Sequence, residues 1–95
     1  MATSVLLLRV ATAWPLPGLG LLVLAPGATP VLAPYPLHTA LAVRVVLATG
    51  SSYSATATVE EINRADTTER ALLLELPFGA VQPSVGSGIW LAAQW

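Results

Sequence analysis

His38 is the only histidine in the chain, and the only side chain whose unperturbed pKa lies near neutral pH. To act as a general base it needs a hydroxyl nucleophile and an orienting carboxylate beside it in space. Ser51, Ser52 and Ser54 could supply the hydroxyl, and Asp66 or Glu60 the acid. No G-x-S-x-G elbow surrounds any of these serines, so His38 reads as a solvated loop histidine. Glu60 and Glu61 are adjacent, which on a strand sends them to opposite faces and prevents a carboxylate pair. With Asp66 they would surround a hard cation only if a bulge turned all three together. Cysteine is absent, which removes disulfides, thiolate nucleophiles and cysteine metal sites. The expectation is no catalytic residue, no metal and no cofactor.

Charge narrows the partners. Arg9, Arg44, Arg64 and Arg70 face five acids, there is no lysine, and the formal net charge is −1. A nucleic-acid module presents a basic stripe to phosphates, so none is expected here. Seven of the nine charges fall within residues 60–75. One consequence is a polar hairpin that keeps the domain soluble and blocks edge pairing. Another is a docking tip on which Arg64 and Arg70 select an acidic surface.

Hydrophobic residues make up 55% of the 95 positions and charged residues 9%. Disorder has the reverse composition. A membrane-spanning helix needs about 18 or more consecutive apolar residues, and the best candidate, residues 16–37, is interrupted by five prolines and three glycines. The apolar run Val5-Leu6-Leu7-Leu8 has no basic segment before it and Arg9 directly after it, unlike a secretory leader. A cytoplasmic protein is expected. The alternative is a secreted domain with residues 1 to about 28 removed.

Glycines and prolines divide the chain into short pieces of similar length, the pattern of an all-β domain. Residues 3–10 are rich in Val and Leu without clear alternation, and a helix over 6–14 competes with a strand. Trp14-Pro15-Leu16-Pro17-Gly18-Leu19-Gly20 reads as a loop, because both prolines fix φ and lack a donor. Residues 21–24 form a short strand, and three prolines hold 29–38 extended along a sheet edge. In residues 40–48, Leu41, Val43, Val45 and Leu47 share one face, and in 53–62 Ala55, Ala57 and Val59 do the same. Period two in both runs predicts a hairpin turning at Thr49-Gly50-Ser51-Ser52. Ile62 falls out of phase with Val59, so a bulge or strand end is expected at Glu60-Glu61. Residues 63–68 read as a second hairpin tip, 69–76 as a strand with Leu72, Leu74 and Leu76 on one face, in competition with a helix over 68–76 capped by Thr67 or Thr68 and ended by Pro77 and Gly79, and 88–92 as the last strand.

Trp14-Pro15-Leu16-Pro17-Gly18-Leu19-Gly20-Leu21-Leu22-Val23-Leu24 resembles the loop and strand that open the second, β-barrel domain of translational GTPases such as elongation factor Tu. Residues 40–62 resemble the central hairpin of that domain. Ala71-Leu72-Leu73-Leu74-Glu75-Leu76 resembles its leucine-rich strand, and Val85-Gly86-Ser87-Gly88-Ile89-Trp90 its closing segment. The order and spacing match over nearly the whole chain. Departures are Leu19 where the family carries a basic residue, Leu24-Ala25 in place of Thr-Gly, and a proline-richer stretch over 27–36. No G-x-x-x-x-G-K-[ST] phosphate loop is present. The resemblance implies a six-stranded antiparallel β-barrel standing alone, without the GTPase engine. The family barrel's contact with tRNA or the ribosome does not carry over to a chain with this charge.

The expectation is one domain over residues 1–95, all-β, acting as a non-catalytic binding or assembly module. Its partner is a protein or a second copy, met through an apolar surface. Trp14, Tyr35, Trp90 and Trp95 are the expected interface aromatics with Arg64 and Arg70; the competing reading places these aromatics and Phe78 in the core, although a terminal Trp95 is rarely core. Pro17, Gly18 and Gly20 shape the loop, where rigid and flexible φ values turn a corner. The alternative is a small hydrolase or ligand-binding barrel using His38 with a loop serine. The apolar surplus supports the module, because strands such as 3–10 and 40–48 are apolar on both faces and a barrel interior uses one.

Overall fold

The computed structural model describes residues 4–92, and all its strands lie in one antiparallel sheet. They are β1 (Val5–Arg9), β2 (Thr12–Leu16), β3 (Gly20–Leu24), β4 (Ala40–Val46), β5 (Ser52–Arg64), β6 (Thr67–Glu75) and β7 (Gly88–Leu91), in the order β1-β7-β4-β5-β6-β3-β2. Six of the strands bury residues in a single core cluster containing Leu8, Leu21, Val23, Val43, Val59, Leu72 and Ile89, and β2 packs Ala13 against it. A single sheet can enclose one cluster only by curling around it. The first and last strands of the order, β1 and β2, are consecutive in the chain. Between them Val10 donates to the Ser87 carbonyl and Ala11 to that of Leu24. No ladder joins β1 to β2, so strand pairing does not close the sheet.

The central hairpin follows its alternation. β4 and β5 pair from Ala40↔Thr58 to Val46↔Ser52, and Leu41, Val43, Val45, Ala57 and Val59 are buried. β1 is a strand, and its missing alternation has a cause. The register against β7 shifts between Leu6 and Leu8, so a bulge turns both Leu7 and Leu8 inward.

Three expectations are corrected. The stretch expected to be a loop from Trp14 contains a strand, since β2 runs through Pro15 and pairs Thr12↔Leu24 to Leu16↔Gly20. β2 has a neighbour on one side only, and an edge strand tolerates a proline. That raises the strand count from the expected six to seven. No bulge occurs at Glu60-Glu61, because β5 and β6 stay in register from Thr56↔Glu75 to Arg64↔Thr67. Finally, the proline-rich connector is not extended. Pro30–Leu32 form a 3-10 turn with proline in its first residues, and this folds Leu32 into the core, where it is fully buried.

The turn that joins β2 to β3 depends on glycine. Gly18 and Gly20 have φ of 79° and 138°, as a corner requires. Gly20 also lies against the backbone of Leu74, whose carbonyl carbon would be 3.2 Å from a Cβ placed there, with the carbonyl oxygen nearer still.

Candidate functional site: the outer face of the sheet

His38 has a left-handed φ of 69°, and its N–H donates to the Val59 carbonyl at 2.7 Å. Its Nδ1 lies 3.1 Å from Glu60 Oε1, while the imidazole is 75% exposed. The carboxylate of the expected constellation is therefore Glu60, not Asp66. The serines lie elsewhere. Ser52 Oγ accepts a hydrogen bond from Arg44 Nη1, and Ser54 stands six residues back along β5 from Glu60, about 20 Å away at strand rise. Glu60 and Glu61 face opposite sides, one toward His38 and the other toward Arg70. Among the described residues no three His, Asp or Glu side chains gather to hold a metal.

The two arginines of the charged hairpin are engaged within the fold. Arg64 donates to the Ala25 carbonyl at 2.7 Å and lies 3.2 Å from Glu69, tying the hairpin to the end of β3. Arg70 meets Glu61 directly across the ladder at 2.9 Å, and its backbone carbonyl accepts from Thr29. As placed, both serve the hairpin and its connector, and presenting them to an acidic partner would require breaking these contacts.

Outside the core, the apolar residues form a row. The registers set Trp14 opposite Leu22, Leu22 opposite Leu73, and Leu73 opposite Thr58 on the outward face of β2, β3, β6 and β5. Leu19, on the β2–β3 turn, stands beside this row at 65% exposure, and Trp14 is 53% exposed. Leu16, Leu19, Leu22, Ile62 and Leu73, together with Glu60 and Glu61, line a shallow cavity of about 390 Å³. Glu75 is on the same face, two residues from Leu73, and joins Leu16 and Leu19 in lining a neighbouring cavity.

A second outward group lies on β1, β7 and β4. Trp90 stands opposite Leu6 and Arg44, and Gly88 opposite Arg9 and Val46. The Trp90 indole covers Gly88, where a Cβ would come within 2.8 Å of Nε1. Arg44, Val46, Trp90 and Leu91 line a cavity of about 370 Å³.

The other expected aromatics are spread around the molecule. Tyr35 is half-buried, packed against the core. The connector meets β4 at Ala40, four residues from the Arg44 that faces Trp90. Phe78 projects fully into solvent from the β6–β7 loop, and Trp95 lies outside the described residues. Tyr53 donates its phenol proton to the Val81 carbonyl at 2.7 Å, and burial raises its pKa. The sequence reading overlooked Leu16, Leu19, Leu22 and Glu75 as surface residues. The available signal was the off-face position of Leu73 and Glu75, but which residues stand opposite them depends on register.

Among the described residues no helix is long and apolar enough to cross a membrane. Compared with family models, curated proteins and solved structures, the chain matches none.

Proposed function

We propose that this chain is a non-catalytic binding or assembly module that works through the outward apolar row Trp14, Leu22 and Leu73, extended by Leu19. That row carries the reading. Its members stand in register on one face of the sheet, and such a patch on a small domain favours a protein contact. The partner is a protein or a second copy of the chain. Four arginines against five acids keep nucleic acid out of the proposal.

The proposal includes a barrel of the translation-factor kind. Supporting it, β1 and β2 are successive parts of one run that occupies both ends of the strand order, and Val10 and Ala11 switch partners from the Ser87 side to Leu24. A run shared by both edges is what a barrel seam requires. A cytoplasmic location is retained from the sequence. The secreted alternative fits poorly, because cleavage near residue 28 would remove β1, β2 and β3 together with core residues Leu8, Leu21 and Val23. The hydrolase alternative keeps Glu60 beside His38 but has no serine there.

Sedimentation velocity over a wide concentration range, with pull-down of partners by the natural protein, tests the module. Trp14→Ala and Leu19→Ser should abolish association while leaving the thermal midpoint within a few degrees. A strict monomer that recovers no partner, or association indifferent to both variants, would overturn it.

A further inference from the structure

The unpaired charges indicate which partner fits. Glu61 and Glu69 are paired with Arg70 and Arg64 within 3.2 Å, and Glu60 has the His38 imidazole as its partner at 3.1 Å. Among the described residues Asp66 and Glu75 have no such basic partner, and Arg9 and Arg44 no carboxylate. Asp66 is at a hairpin tip. The other three border the two outward apolar groups. Glu75 lies beside the Trp14–Leu22–Leu73 row at the β6-β3-β2 end of the sheet, and Arg9 and Arg44 flank Trp90 at the β1-β7-β4 end. One apolar patch, on β6-β3-β2, thus has a spare negative charge, and the other, on β1-β7-β4, spare positive charges.

We infer that the occupant of each patch is the other patch of a second copy, in a head-to-tail contact that brings Arg44 of one copy to Glu75 of the next. This deepens the proposed function by naming its partner, and it rests on that reading. Two different surfaces meet, so the contact is heterologous and builds a ring or an open chain rather than a twofold dimer. Three strands of about five residues span roughly 14 Å by 17 Å. That is below the roughly 800 Å² per partner of a stable interface, so the association is weak and reversible. Opposite charges at the rim set its register and its salt dependence.

Charge reversal tests the pairing. Arg44→Glu and Glu75→Arg should each weaken self-association at least tenfold in sedimentation equilibrium, and the double variant should restore it. Arg44→Gln and Glu75→Gln, with circular dichroism to confirm folding, serve if a reversal disturbs the fold. In the wild-type protein the indole N–H signals of both Trp14 and Trp90 should shift on dilution. A monomer at every concentration overturns the inference, as does association unchanged by the single reversals or unrestored by the double. If association persists through the charge variants but is lost in Trp14→Ala, the pairing falls while the apolar-row reading stands. If both sets leave it unchanged, both fall.

Discussion

Replacing Gly20 with alanine should cost far more than the same change at Gly18, two residues away on the same turn. Both have positive φ, at 138° and 79°, and alanine in such a conformation loses about 1–2 kcal/mol. At Gly18 nothing lies within 4 Å of the new methyl, so that strain is the whole cost. At Gly20 the methyl would overlap the Leu74 carbonyl, which is backbone of the neighbouring strand and cannot rotate aside. β3 must shift from β6 where Leu21 pairs with Leu74, weakening one or two ladder hydrogen bonds worth about 1 kcal/mol each. Disturbed packing of the buried Leu21 and Leu74 adds to this, for a total of about 3–5 kcal/mol. A domain of this size is typically stable by about 5–15 kcal/mol and loses about 4–8 °C per kcal/mol. At the same loss per kcal/mol, Gly20→Ala should therefore lower the midpoint by about 12–40 °C and Gly18→Ala by about 4–16 °C, with Gly20→Ala the larger in the same protein. Urea unfolding with matched slopes provides the free energies. Equal losses at both sites, or a loss below about 1 kcal/mol at Gly20, would refute the reasoning.

Leu32→Ala removes a fully buried side chain from the connector and should cost about 2–5 kcal/mol in urea unfolding, whereas Val31→Ala, half-exposed beside it, should cost well under half of that. Tyr53 has a folded pKa raised above 10.0 by burial, so the folded state holds the phenol proton more tightly than the unfolded one. Its contribution is complete below pH 10 and fades as pH rises through the folded pKa, so the wild-type urea midpoint should fall there relative to Tyr53→Phe. Gly88→Ala pushes the Trp90 indole off the strand, and a changed tryptophan emission with a stability loss near 1 kcal/mol is expected. Phe78→Ala should leave stability within about 0.5 kcal/mol, since the ring is wholly exposed.

The alternating runs of β4, β5 and β6 were legible in the sequence because period two is a local property, and burying one face of a strand leaves a single phase available. The same rule explains the bulge that does not occur at Glu60-Glu61. It holds only where a core lies under the strand. Beyond Val59 and Leu72 the β5–β6 hairpin runs past the core, and the inner positions of Glu61 and Arg70 meet each other instead of apolar side chains. Ile62 then faces outward without penalty, sharing a cavity with Leu22 and Leu73. Pro15 could be accepted into β2 only because that strand lies at an edge, and edge or centre is decided by the pairing order of the whole sheet.

Composition and spacing alone determined that this chain is all-β, built from short strands, without a cysteine or a cluster of histidines for chemistry, and more apolar than one core requires. Tertiary structure decided where that excess goes. Leu32 leaves the connector for the core, Leu7 and Leu8 both turn inward at a bulge, and Trp14, Leu22 and Leu73 align on the outer face. Each of these outcomes depends on which backbone lies opposite which, and strand register is fixed by contacts between residues far apart in the chain.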